Sequence, residues 1–263
     1  MHLEQSCCIA CNNTHIVKNG FYTLRGERYQ AWRCKDCGKQ FTDHSKERFA
    51  RHRFEPWVLI LALQLIRLGC SGPGVSEVLR KQFRITVSRW SVARWAGMFG
   101  TPLLVGHHIT PTNVWHMDEL FLHAKGQWWY VFVTIDSTNR CLGIVASPTR
   151  SSQAAKACLL QAAKRGRPEA VVTDGWQGYP NVVRAVFGKR VRHVVAHFEA
   201  QRTIVGKRWE KLSNNRIEGW NSHLRPLLRR MRGAESLNAL QGRLDTYLVL
   251  NNLGEQSWEF LAG

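Results

Sequence analysis

Three carboxylates stand in unlike settings: Asp118 in Val-Trp-His-Met-Asp-Glu-Leu, Asp174 in Ala-Val-Val-Thr-Asp-Gly-Trp, and Glu218 in Asn-Asn-Arg-Ile-Glu-Gly-Trp. The chain around them is strongly basic, with 37 Lys and Arg against 19 Asp and Glu in 263 residues and a formal net charge of +18. That balance favours a polyanionic partner, DNA or RNA first. Acids spared within such a chain suit hard divalent cations, which take oxygen ligands and need neither His nor Cys. Two magnesium ions held about 3.5 to 4 Å apart by carboxylates would activate an attacking oxygen and stabilise a leaving one at a phosphate.

The elements that must position these acids begin at Val114, where the pattern turns to strand. Residues 114–123 and 127–135 read as a hairpin closed at Ala124-Lys125-Gly126, and residues 141–147 as a third strand. An alanine-rich helix over 151–165 follows, then a short apolar strand over 170–174 ending in Asp174, a helix over 180–187 and a fifth strand over 190–196. This order is that of a ribonuclease H-like α/β fold with a mixed sheet. Such a sheet sets the middle of the first strand beside the end of the fourth, and so Asp118 beside Asp174.

The third acid must come from elsewhere. Glu218 lies on a helix starting near Ser213, whose Ile217, Trp220, Leu224, Leu227 and Met231 recur every three or four residues and face the sheet. Asn214, Asn221, Ser222, Arg225 and Arg229 share a neighbouring face with Glu218, and Arg216, Arg225 and Arg229 suit a phosphate track. Pro226 should kink or end this helix. Glu210, in the basic run Lys207-Arg208-Trp209-Glu210-Lys211, is the competing third acid: 35 residues separate it from Asp174, against 43 for Glu218. Glu119 points away from Asp118 in a regular strand and falls outside the site. Asp136, in Ile-Asp-Ser-Thr-Asn, reads as a turn former. His193 and His197 lack a zinc-binding spacing, although His197 could touch a phosphate.

Upstream, Cys8-x-x-Cys11 and Cys34-x-x-Cys37 are separated by 22 residues, the pattern of a closed four-sulfur zinc site in a zinc ribbon over 1–48. Cys7 could replace Cys8 with a slightly wider loop. Residues 49–108 form an all-α module: an apolar helix over 57–66 stopped by Gly69 and Ser71-Gly72-Pro73-Gly74, a helix over 75–83, and a third over 89–98 capped by Ser88. Val92, Trp95, Ala96 and Phe99 would pack inward, leaving Arg89, Ser91 and Arg94 outward as on a helix-turn-helix recognition helix. A plain three-helix linker with surface arginines explains the same pattern. Gly100-Thr101-Pro102 marks the passage to the last domain, 109–263. The run 57–66 is too short to span a bilayer, and the first residues lack a signal-peptide pattern, so a cytoplasmic, nucleoid-associated protein with reduced cysteines is expected.

Trp115-His116-Met117-Asp118-Glu119, Thr173-Asp174-Gly175-Trp176-Gln177-Gly178-Tyr179 and Asn214-Asn215-Arg216-Ile217-Glu218 with His223-Leu224-Arg225 resemble the DDE transposases of prokaryotic insertion sequences. The zinc ribbon and helix-turn-helix extend the resemblance over nearly the whole chain. It implies that Asp118, Asp174 and Glu218 are the metal ligands, the Asn-Asn-x-Ile-Glu context favouring Glu218 over Glu210. It further implies binding to terminal inverted repeats and target DNA, strand cleavage and strand transfer without a covalent intermediate, and homo-oligomers joining two element ends. A catalytically inactive DNA-binding regulator derived from such an enzyme is the alternative, and a nuclease that cuts without joining is a third reading.

Overall fold

Ile16–Leu24 (β1), Glu27–Cys34 (β2) and Gln40–Thr42 (β3) pair antiparallel in the order β1-β2-β3. Gly20 has φ +78°, a conformation open to glycine, and the β1–β2 register shifts between Lys18 and Phe21. The computed structural model describes residues 7–24, 26–42, 52–106, 108–124, 126–196, 200–205, 208–230, 236–257 and 259. Two compact units emerge, Met1–Ile60 with Gln256–Gly263, and Leu61–Glu255.

Pro56–Arg67 (α1) contains the boundary between these units. Gly72–Phe83 (α2) starts earlier than its apolar pattern indicates. Ser-Gly-Pro-Gly is not a turn before the helix: Ser71 Oγ accepts the Gly74 N–H at 3.2 Å, and Pro73 sits in the first turn. Proline is tolerated there because the first-turn N–H groups have no helical acceptor. Arg89–Gly106 (α3) runs through Gly100-Thr101-Pro102 instead of ending there. Among its described side chains the buried ones are the expected Val92, Trp95, Ala96 and Phe99.

The larger unit is built on a five-stranded sheet of Val114–Ala124 (β4), Gln127–Asp136 (β5), Cys141–Ser147 (β6), Ala170–Thr173 (β7) and Arg192–Val195 (β8), ordered β6-β5-β4-β7-β8. β4, β5 and β6 are antiparallel neighbours, and β7 and β8 are parallel to β4. This is the ribonuclease H-like order expected from the pattern of strands. Ser152–Ala163 (α4) and Tyr179–Phe187 (α5) cover one face through Trp115, Met117, Phe132, Ala155, Leu159 and Val183. The small residues of α4 allow close approach, and a Cβ at Gly143 of β6 would meet the Cys158 carbonyl at 2.5 Å.

Residues 201–212, assigned no secondary structure from their basic sequence, form a second hairpin of Gln201–Val205 (β9) and Arg208–Leu212 (β10). Val205 and Leu212 bury themselves with Val114, Ala170, Val172 and Val194, so two apolar residues anchor a segment whose charge hides its strand pattern. Asn215–Arg230 (α6) passes through Pro226 for four more residues, so the proline does not end it. The apolar face of α6 is buried as expected at Ile217, Trp220, Leu224 and Leu227, whereas Met231 and Arg232 lie outside the described residues.

Leu237–Leu253 (α7), capped by Ser236, is buried over residues 244–250 and packs on both β6 and α3. Thr246 Oγ1 donates to the Ala96 carbonyl at 2.7 Å, and Gly242 lies so close to Gly97 that a Cβ there would strike the Gly97 carbonyl. These contacts fasten the middle of α3 to α7. At the sheet edge, Asn252 brackets Cys141 by accepting its N–H and donating to its carbonyl, both at 2.7 Å. Gln241 accepts the Ala146 N–H and donates to the Ile144 carbonyl, both at 2.8 Å. These amides occupy the groups through which an edge strand would recruit another chain.

Candidate functional site

β7 pairs with β4 only over residues 114–116 of β4, opposite 170–172. Beyond His116 the strand β4 has lost its parallel neighbour, so side chains from both of its faces can converge around the open edge. Asp118 turns toward α6, where Asn221 Nδ2 donates to its Oδ2 at 2.9 Å. Glu119 turns toward α5 and accepts from the Tyr179 hydroxyl, with Arg150 as its ion-pair partner. Asp174, just past the end of β7, accepts the Trp176 N–H at 3.0 Å. Oxygens of Asp118, Glu119 and Asp174 lie within 4.8 Å of one another. The alternation rule had sent Glu119 out of the site; the missing neighbour of β4 brings it back.

Glu218 stands in the first turn of α6, on the wall of the same cleft of about 890 Å³, with Arg150, Asn214, Asn221 and Arg225. Asn214 Nδ2 faces Glu218 Oε1 at 3.5 Å. Glu218 does not join the tight group of three oxygens. Glu210 lies on β10 opposite Thr203. The Trp176 ring packs against Gly178, where a Cβ would meet it at 2.5 Å, and edge-on to Tyr179 at 4.9 Å; Arg150 lies 5.0 Å over the same ring. The Asp-Gly-Trp-Gln-Gly-Tyr block therefore places both Asp174 and the partners that hold Glu119.

Crowding of negative charge has a measurable consequence. Burial first, then the charges of Glu119, Asp174 and Glu218, push the Asp118 carboxyl up to about 7. Burial also raises Glu119, against the lowering effect of Tyr179 and Arg150. Asn214 and Asn221 are almost fully buried, and their Oδ1 atoms have no hydrogen-bond partner among the described residues. An all-oxygen donor set with uncompensated charge and spare carbonyl oxygens fits a hard divalent cation.

Asp136 is the turn anchor that its sequence context indicates, fully buried and bound to Thr112 N, Thr138 N and Oγ1, and Arg140 N, Nε and Nη2. His193 Nε2 is engaged with Thr173 Oγ1 at 2.8 Å; His197 lies outside the described residues. Arg216 is on another side of α6, where it donates to Asn139 Oδ1 at 3.2 Å and lines a separate cavity of about 970 Å³ with Arg67, Lys211 and His223. Arg229 is exposed and lines neither cavity. On α3, Arg89 and Arg94 are exposed, while Ser91 is half-buried with its hydroxyl 3.0 Å from that of the cap Ser88.

In the smaller unit Cys8, Cys11, Cys34 and Cys37 group their sulfurs within 4.8 Å, with Cys8–Cys37 at 3.6 Å and Cys11–Cys34 at 3.7 Å. A tetrahedral zinc site with Zn–S bonds of about 2.3 Å requires sulfur separations of about 3.8 Å, so these thiols match one in number and spacing. Cys8, not Cys7, occupies the fourth position.

The sheet order and the carboxylates at its parallel step define a ribonuclease H-like domain. A family model described as a DDE domain, of the IS240 type, matches residues 112–257, and the chain belongs to that family. The chain is similar to the Staphylococcus aureus transposase for insertion sequence-like element IS431mec, 28% identical over 132 residues covering 48% of this chain and 58% of that protein. The same identity and coverage relate it to the transposase for insertion sequence element IS257 in transposon Tn4003 of Staphylococcus aureus. The chain thus spans 58% of the length of these curated relatives. Among solved structures, the HTLV-2 integrase catalytic core domain in complex with magnesium is similar at 15% identity, over 56% of this chain and 92% of that one, with a TM-score of 0.39. Among the described residues no helix is long and apolar enough to cross a membrane.

Proposed function

We propose that the chain is an insertion-sequence transposase that cleaves and joins DNA strands at the cleft of Asp118, Asp174 and Glu218. The observation that supports this most directly is the convergence of Asp118 and Asp174 at the parallel step of the sheet, in a cleft whose wall also carries Glu218, Arg150 and Arg225. The three acids would hold two magnesium ions, which supply activation of the attacking oxygen and charge stabilisation of the leaving one when bound. Asn221 orients Asp118 and Asn214 orients Glu218. Arg150 and Arg225 bind the phosphate of the strand and hold it against the acids. Four cysteine thiolates, Cys8, Cys11, Cys34 and Cys37, would hold a structural zinc.

Arg89, Ser91 and Arg94 on α3 contact double-stranded DNA at the terminal inverted repeats, Ser91 less freely because its hydroxyl is shared with Ser88. Arg216, Arg225 and Arg229 contribute phosphate contacts for element ends and target. The domain division is 1–48, 49–108 and 109–263. The protein acts in the cytoplasm, at the nucleoid, as a homo-oligomer that joins two ends.

The test uses the full chain, magnesium, and DNA bearing the inverted repeats that flank its gene. Cleavage and joining are expected, with Asp118→Asn, Asp174→Asn and Glu218→Gln abolishing both while DNA binding persists, and Glu210→Gln active. Joining by Asp118→Asn at the wild-type rate would overturn the assignment. Wild-type binding without cleavage would move the protein to the regulator reading.

A further inference from the structure

The β4–β5 hairpin leaves its sheet just beyond the carboxylates. β7 stops pairing with β4 at His116, β6 stops pairing with β5 at Tyr130, yet β4 and β5 remain paired to Ala124 and Gln127. The last turn of the hairpin is therefore a two-stranded arm. Its register puts Phe121 opposite Tyr130 and His123 opposite Trp128, on the face that also bears Glu119 opposite Phe132. An aromatic stripe thus runs outward from the buried Phe132 past Glu119 to the arm.

Two of these rings are largely in water: Phe121 is 60% and Trp128 54% exposed. They meet edge-on, with centroids 5.7 Å apart at 65°, and His123 supports Trp128 at 5.0 Å. An edge-on pair leaves a ring face open to a further flat partner. Phe121, Trp128 and Tyr130 also line the cleft that holds Asp118, Asp174, Glu218 and the two arginines. Open aromatic faces within a cleft of phosphate-binding arginines match the two halves of a nucleotide, ring and phosphate.

We infer that Phe121, Trp128 and Tyr130 form a stacking site for an unpaired nucleobase next to the phosphodiester held at the carboxylates. This rests on the proposed DNA-processing function. A base inside a duplex hides both its faces, so the site takes a strand with an unstacked nucleotide, at a single-stranded end or extruded from the helix. Stacking tolerates any base, and so the site sets strand structure and not sequence.

The test compares two mixed-sequence probes without divalent metal: a blunt duplex, and the same duplex with a short 3′ overhang whose first unpaired base is 2-aminopurine. The full chain is expected to bind the overhang about tenfold more tightly than the blunt end and to quench the 2-aminopurine. Trp128→Ala should collapse that ratio and the quenching, and Trp128→Phe should restore most of both; melting curves confirm that each variant folds. Equal wild-type affinities with unchanged fluorescence would overturn the site. So would a Trp128→Ala variant that keeps the preference but loses self-association, which would give the arm to a second copy of the chain. Cleavage of element ends without any overhang preference removes the stacking site alone, whereas absence of all DNA binding and cleavage removes the proposed function with it.

Discussion

Asn221 on α6 donates to Asp118 on β4 at 2.9 Å, tying the helix of Glu218 to the strand of Asp118 across 103 positions of sequence. Asn221→Ala should leave the fold intact and lower cleavage about 10- to 100-fold, as loss of a ligand-orienting partner commonly does. Parallel melting and cleavage assays check it. Unchanged cleavage would mean that Asp118 is oriented by something else.

Metal binding at the carboxylate cluster is expected to depend on pH. Asp118 is raised from 3.8 to about 7, so the folded chain holds a proton that the unfolded chain releases. The metal-free protein should therefore lose stability as pH rises from about 4 through 7, because the folded state must then carry the buried charge. Magnesium relieves that charge and should raise the melting temperature more at pH 8 than at pH 6. Asp118→Asn should flatten this difference, and an equal magnesium shift at both pH values would refute the linkage.

Asp136 has the opposite sign. Burial alone would raise it, but hydrogen bonds from Thr138 and Arg140 outweigh burial and lower it. Its contribution is present above the unfolded carboxylate range and is lost as pH falls through the folded value. Asp136→Ala should cost about 3 to 5 kcal/mol by leaving Arg140 and several N–H groups without their acceptor. Urea unfolding measures it, and a cost below about 1 kcal/mol would contradict the turn-anchor role.

The amides along β6 protect an edge. Gln241→Ala with Asn252→Ala should uncover the outer groups of Cys141, Ile144 and Ala146. Each unmet group costs about 1 to 3 kcal/mol, and an open edge invites pairing between chains. Lower melting temperature together with concentration-dependent light scattering is the expected pair of readouts.

Zinc should govern the smaller unit by itself. Chelation, or Cys11→Ser, is expected to abolish protection of the β1–β3 amides in hydrogen exchange while that of β4–β6 persists. Equal protection with and without metal would remove the structural zinc.

Periodicity carried the succession of strands β4 to β8 and the buried stripe of α6, because each element records in its own spacing which face meets the core. The paired cysteines were equally legible, since CxxC spacing is a local geometry. The ribonuclease H-like sheet that this succession resembles implied the meeting of Asp118 and Asp174. Tertiary structure decided what local pattern does not encode. Glu119 enters the cleft because β7 ends early beside β4, and that length is set by pairing between segments far apart in sequence. α3 runs on to Gly106 through its own glycine and proline, and α7 fastens its middle at Ala96 and Gly97 through Thr246 and Gly242. The β9–β10 hairpin was masked because its charge exceeds its two buried anchors, Val205 and Leu212. The types of the reactive residues are thus written in the chain, but their grouping depends on where neighbouring strands and helices stop.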